Sequence, residues 1–273
     1  MGFGFLDAWD DYLPTEGGHV VALCGGGGKT SLLACAAAAL RARGARVAVT
    51  TTTRTEPLAW PGLRTREWDE LVAGAPGNDA LLFVRRGAHP DGKWRGLAPD
   101  EVDALGELLP GHVVLVEADG SAGRPVKLHR EDEPVWPGRT SLAVVVMGLG
   151  AVGLPIGEAL HRHGRLPSPH LPADPAAPWD WEMMFRLLAG PGGYLARVPA
   201  GRPVVVALTQ LGACVDGPGL FAFIGRVMGE ANVPLVTLGE LAGEHPGLRT
   251  AWRVGPDGPR DDAHGDDASD EPA

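Results

Sequence analysis

Apolar residues fall into seven short runs in which nearly every position is apolar, instead of every second one. The runs are His19–Cys24, Arg46–Thr51, Leu81–Arg85, His112–Val116, Leu142–Met147, Pro203–Thr209 and Pro234–Leu238. β-Branched residues and flanking turn formers predict strands there. Continuous hydrophobicity predicts strands covered on both faces, as in a parallel sheet. Between several runs the period changes. Ser31–Arg43 puts Leu32, Leu33, Ala36 and Leu40 on one helical face and stops at Gly44, a C-terminal signal. Asp100–Leu109 and Leu220–Glu230 behave similarly. Strands alternating with helices predict an α/β fold with a doubly wound, mostly parallel sheet.

One stretch breaks this rhythm. From about 150 to 201 no strand is predicted, and Pro167, Pro169, Pro172, Pro175 and Pro178 crowd together before a helix at Trp181–Leu188. An insertion over the sheet's edge or top is expected, a usual place for partner or substrate contacts. The expected organisation is one domain over 1–254 and an acidic, disordered tail over 255–273, where apolar periodicity ends.

Composition narrows the partners. The formal net charge of −10 speaks against nucleic acid, because neutralising phosphates needs a basic face. Three cysteines without a CxxC point to a reducing compartment. The acidic start is unlike a signal peptide, and no run approaches the roughly 20 apolar residues of a membrane span. A cytoplasmic protein with no membrane partner is expected.

The chemistry gathers at the first strand-to-helix junction, Cys24-Gly25-Gly26-Gly27-Gly28-Lys29-Thr30-Ser31. Glycines let the backbone curl so that N–H groups point inward, and the helix N-terminus adds partial positive charge. In such a phosphate loop Lys29 reaches the outer phosphates of a nucleoside triphosphate, the Thr30 hydroxyl ligates Mg²⁺, and Ser31 continues the cradle. The usual G-x-x-x-x-G-K-[ST] spacing needs glycine at position 23, where this chain has Leu23. A glycine-rich turn with an incidental lysine is the competing reading, and the strand-loop-helix context weighs against it.

A phosphate loop also needs a carboxylate at the end of a neighbouring strand. The run through Val116 leads to Glu117 and Asp119. Glu117, directly off the strand, is the metal-side candidate with Thr30; Asp119 is the candidate facing water or phosphate. With Lys29 they form the candidate catalytic set, and a solvated acidic turn is the alternative. Thr50-Thr51-Thr52-Thr53-Arg54 ends the second strand, and Thr52 is a candidate ligand-binding residue, although β-propensity also favours threonines there. After Gly120 come Ser121, Arg124 and Lys127, whose cations can neutralise a transferring phosphate. That segment reads as a switch or as a plain basic loop.

GGGGKTS, VTTTTR, VEADGSAGRPVKLHREDEPVWP and VVVMGLGAVGLPIGEALHR together resemble the YqeC family of accessory proteins for selenium-dependent molybdenum hydroxylases. The resemblance spans roughly residues 18–250 and is most specific in VEADGS-x-x-R-P-x-K. It implies a P-loop fold, nucleotide binding, and a client molybdenum enzyme or its cofactor as partner. Glu117 and Gly120 are also similar to a Glu-x-x-Gly of metallochaperone GTPases. Those proteins read guanine with Asn-Lys-x-Asp; here Thr209-Gln210-Leu211-Gly212 stands in that place, with Asp216 the next acidic residue. The expected cofactors are ATP or GTP with Mg²⁺, ATP being favoured.

Three functions stay open. The first is an NTPase that drives cofactor delivery or assembly, the second a small-molecule kinase whose insertion holds the acceptor, and the third a nucleotide-gated binding module. Glu117 with Asp119 favours hydrolysis, since sensing needs no group near an attacking water. His161-x-His163, with His170 nearby, has no cysteine or carboxylate at ligand spacing and reads as a solvated pair. Cys24 abuts a helix N-terminus, where thiol pKa values fall, but a buried strand-end cysteine is the simpler reading.

Overall fold

The computed structural model describes residues 9, 12, 18–74, 79–166, 171–214, 216–241, 247–255 and 258–261, the last two by backbone apart from Ala251. Ten strands build its main sheet. They are β1 (Val20–Gly25), β2 (Arg46–Thr51), β3 (Arg64–Glu67), β4 (Leu81–Arg85), β5 (His112–Glu117), β6 (Thr140–Gly148), β7 (Val204–Thr209), β8 (Leu235–Glu240), β9 (Gly247–Gly255) and β10 (Gly258–Asp261). All seven expected strands form, each within two residues of its expected ends. β3, β9 and β10 have no counterpart in the apolar pattern. β3 reads Arg-Thr-Arg-Glu because it is a short edge strand, where charge discourages pairing with other chains.

The spatial order is β10-β9-β8-β7-β6-β1-β5-β2-β4-β3. β3 to β8 and β1, β2 pair in parallel, while β9 and β10 run antiparallel at one edge. Both faces are covered, which is why the strands are apolar throughout. On β1, Val21 and Leu23 pack with Leu32, Leu33 and Ala36 of α1 (Lys29–Ala42). Val20 and Ala22 face the other way; beyond the short α2 (Trp68–Val72), α3 (Pro99–Leu108) meets them with Val102 and Leu105.

The segment expected over the sheet's edge or top lies instead against a face. It carries α4 (Ile156–Ala159) and α5 (Trp181–Ala189), and after β7 comes α6 (Gly217–Gly229). Trp179, Met184, Leu187, Leu188 and Tyr194 share one buried cluster with Met147 of β6 and Val206 and Leu208 of β7. At about 1.5–3 kcal/mol for each large apolar side chain, such burial fixes the segment to the sheet. Nor is it strand-free: Leu160–His161 pairs in parallel with Val126–Lys127. β10 runs to Asp261, inside the expected acidic tail, and residues 262–273, like His170, lie outside the described residues. Cys24, Cys35 and Cys214 are free thiols. Among the described residues no helix is long and apolar enough to cross a membrane.

Candidate functional site

β1 sits between β5 and β6 in the middle of the sheet, so the loop leaving its C-terminal end is flanked by the ends of both. Crevices of this kind, outside the carboxyl ends of parallel strands, are where open α/β sheets hold ligands. The loop needs its glycines twice over. Gly25, Gly27 and Gly28 have φ of 103°, 83° and 105°, a region glycine enters without strain. A Cβ added to Gly25 would lie 2.2 Å from the Val146 carbonyl oxygen, and one on Gly26 2.7 Å from that of Pro125.

The loop's N–H groups divide into two sets. Gly26 donates to the Val146 carbonyl and Gly27 to that of Arg124, each at 3.0 Å. Gly25 donates to the Asp119 carboxylate, 3.0 Å from Oδ2. Those three are therefore committed to the protein. The N–H groups of Gly28, Lys29, Thr30 and Ser31 begin α1 and have no acceptor among the described residues. They are the ones left to meet an anion, backed by the helix's partial charge.

Lys29 lies buried across the loop. Its Nζ donates to the Gly25 carbonyl at 2.6 Å and stands 3.1 Å from Asp119 Oδ1 and 3.7 Å from Glu117 Oε1. Burial disfavours its charge, but Asp119 and Glu117 outweigh it and the pKa rises. Thr30 Oγ1 donates to Glu117 Oε2 at 2.9 Å. The Glu117 side chain keeps 13% of its surface exposed, and burial raises its pKa against the pull of Lys29. The structure thus brings Thr30 and Glu117 into direct contact, with the carboxylate part-exposed.

Asp119 is elsewhere. It is fully buried and faces the start of the loop instead of solvent. Besides Gly25 and Lys29, it meets Lys127 Nζ at 3.4 Å and His129 Nε2 at 2.5 Å. Burial opposes its charge, yet Lys29, His129 and Lys127 together hold the carboxyl well below the usual range. Lys127 is buried too, donating to the Gly120 carbonyl at 2.8 Å and pairing with Glu133 at 3.0 Å. Its ammonium is a structural counter-ion there. Tyr194 ties the insertion to this node, its hydroxyl bridging the backbone N–H and carbonyl of Lys127 at 2.8 Å each.

The other expected residues scatter. The Thr52 hydroxyl donates to the Val135 carbonyl at 2.9 Å, while the neighbouring Thr51 hydroxyl holds the Glu117 carbonyl at 2.8 Å. The threonine run therefore fastens the two strand ends together. Arg124 offers its backbone carbonyl to Gly27 and directs its guanidinium to the Glu158 carbonyl. Ser31 is exposed.

His129 and Glu133 were not singled out by motif, although a signal exists. Val126 and Leu128 enter the core, so Lys127 and His129 alternate onto the opposite side, toward Asp119. Cys24 Sγ, an Asp119 oxygen and a His129 nitrogen lie within 4.8 Å of one another, a donor set of metal-binding type. Two ammonium groups 3.1 and 3.4 Å from the same carboxylate already supply positive charge and oppose a further cation. Burial also pushes the Cys24 thiol well up, so it stays protonated.

At the end of β7, Asp216 caps α6, accepting from the Gly219 N–H at 2.9 Å and the Trp181 indole at 2.8 Å. Gly212 donates to Glu240 at 2.8 Å.

A family model described as "YqeC protein" matches residues 21–164. A curated relative, "Uncharacterized protein YqeC" of Escherichia coli (strain K12), is 29% identical over 232 residues, which cover 84% of this chain and 90% of the relative. No solved structure matches. The family match takes in the glycine loop, Glu117, Asp119 and the whole buried charge node around them, over more than half of the chain. The chain belongs to the YqeC family.

Proposed function

We propose that this protein binds a nucleoside triphosphate with Mg²⁺ at the Gly25–Ser31 loop and hydrolyses it, as an accessory in the maturation of a molybdenum hydroxylase. One observation carries the reading: the 2.9 Å contact of Thr30 with Glu117, beside a buried lysine and the unaccepted N–H groups that open α1. Together they offer an anion cradle, a cation for the outer phosphates and a metal-side hydroxyl–carboxylate pair. Thr30 and Glu117 would hold Mg²⁺, whose contribution when bound is charge neutralisation at the outer phosphates. Lys29 turns from the Gly25 carbonyl toward those phosphates. Asp119, shut away from water, steadies Lys29 and the loop, so Glu117 is the carboxylate able to touch an attacking water.

The client, a selenium-dependent molybdenum enzyme or its cofactor, follows from the resemblance noted in the sequence. ATP is favoured over GTP, because Asp216 is engaged as a helix cap and position 212 is glycine. Binding of ATP and GTP with and without Mg²⁺, followed by phosphate release, tests the proposal; no binding of either would sink it. Competition of the two for one labelled nucleotide tests the base, and a hundredfold GTP advantage would reverse that choice. The client is tested by molybdenum hydroxylase activity in cells lacking this chain, restored by the parent and not by Lys29→Ala. A second reading, phosphoryl transfer to a small molecule, is favoured by a cleft beside Gly120.

A further inference from the structure

That cleft encloses about 330 Å³, near the lower end of small-molecule sites. Its charged lining is Arg54, Lys93, Arg130 and Arg162 against a single carboxylate, Glu133, with His161 between them. Four permanent cations therefore converge from separate segments, in a chain whose net charge is −10.

The carboxylate is already answered from within. Glu133 pairs with Lys127 at 3.0 Å and accepts from Arg162 Nη2 at 2.7 Å. Burial opposes its charge, but Arg162 and Lys127 bring its pKa down to about 2. The other acidic partners lie outside the lining. Arg54 meets Asp91 at 3.3 Å, Lys93 meets Glu56 at 2.9 Å and Arg130 meets Asp132 at 3.4 Å, all with exposed side chains, while Arg130 also reaches Glu133 at 3.2 Å. Exposed pairs contribute little, so Arg54 and Lys93 can turn to a ligand at little cost, and Glu133 keeps Lys127 and Arg162 when Arg130 does the same.

Backbone strain marks the same place. Among the described residues four non-glycine positions have positive φ, and two of them, Ala122 at 49° and Arg162 at 69°, line this cleft. Such conformations gather where a site imposes them. A Cβ placed on Gly120, on the cleft wall, would meet nothing within 4 Å, so the floor stands open beside the Glu117 strand end.

We propose that this cleft binds a small molecule bearing a multiply charged oxyanion, of the phosphate-ester or diphosphate type. Its size and the chain's overall negative charge exclude a long polyanion. As the place of a second substrate the cleft rests on the nucleotide reading; as an anion site it rests on its own lining.

Inorganic pyrophosphate is the probe, titrated calorimetrically into the full chain. Two sites are expected in the parent, the loop and the cleft. Arg54→Ala/Arg130→Ala, which removes two exposed side chains, should keep the loop site and lose the other or weaken it at least tenfold. Lys29→Ala should do the reverse, keeping the cleft site. Pyrophosphate stoichiometry unchanged in the double-arginine variant overturns the proposal, as does a parent with no site sensitive to those arginines. If Lys29→Ala does not fold, the double-arginine comparison decides by itself. ATP titration of the same variants separates the two readings: an arginine-sensitive pyrophosphate site in a parent that binds no nucleotide would leave the cleft standing and remove the nucleotide.

Discussion

Two ammonium groups lie within 3.4 Å of Asp119, and neither has water to turn to. Removing the charge between them leaves two buried cations with only Glu117 and Glu133 to answer them, at a cost of about 3–5 kcal/mol. Asp119→Asn should therefore lower the thermal midpoint by roughly 6–20 °C, at about 2–4 °C per kcal/mol for a chain of this size. Glu117→Gln should do something different. Its part-exposed carboxylate is expected to leave the midpoint and nucleotide affinity nearly unchanged, the latter within roughly tenfold, and to cut turnover about 10²-fold. Stability and phosphate release measured on both variants separate the roles; equal behaviour of the pair would contradict the assignment. Both carboxylates were legible as a pair in VEADG, but their division was not. Which of two residues faces inward depends on Lys127 and His129, which pairing with the insertion brings back to the loop.

His129 adds a pH dependence. Burial pushes its pKa down despite the hydrogen bond to Asp119. The unfolded chain's histidine takes up a proton near pH 6.5, while the folded one still resists. Stability then falls as pH drops through that value toward the folded pKa. His161 is displaced in the same direction; Glu117, pushed up by burial, works oppositely nearer its own range. Thermal midpoints should decline from about pH 7.5 to about pH 5.5, less steeply in His129→Gln.

The glycine loop is the element whose form follows most directly from its residues. A strand, four glycines and an amphipathic helix leave few other arrangements, and Leu23 at the usual first glycine position lies inside β1, where no turn is made. At Gly27, with φ of 83°, an added Cβ would stand 2.4 Å from Gly148 Cα. Gly27→Ala should destabilise by more than about 1 kcal/mol, since both the torsion and the space refuse it. Urea unfolding checks this, and a midpoint equal to the parent's would mean that the loop relaxes freely. The insertion was legible only as a break in rhythm. Its prolines hide any strand signal, and its apolar residues are too irregularly spaced to reveal the face they cover. β3 escaped because a charged four-residue edge strand has the composition of a loop.

For the molecule as a whole, ligand binding and folding are linked. A nucleotide at a hundredfold excess over its Kd should stabilise the fold by about 2.7 kcal/mol. That corresponds to a rise of roughly 5–11 °C in the thermal midpoint. The rise should grow with concentration and vanish in Lys29→Ala; an equal shift in that variant would place the ligand elsewhere. The fold class was readable throughout because buried parallel strands are apolar on both sides. The charge node was not, because its members come from stretches far apart in the chain, as Lys29 and Asp119 do.

The position of β1 between β5 and β6 also sets a clock. β1 precedes both of its neighbours in the chain, and they end only at Glu117 and Gly148. At about 5–20 residues per second, a ribosome needs roughly 6–25 s to get from the loop to the end of β6. Until the end of that interval the glycines lack Val146, and for most of it Asp119 and Arg124 as well. Pairings this distant in sequence also form slowly once the chain is complete. Through that interval an apolar strand and an Ala-rich helix stand without the sheet that covers them, the kind of exposed surface that chaperones shield.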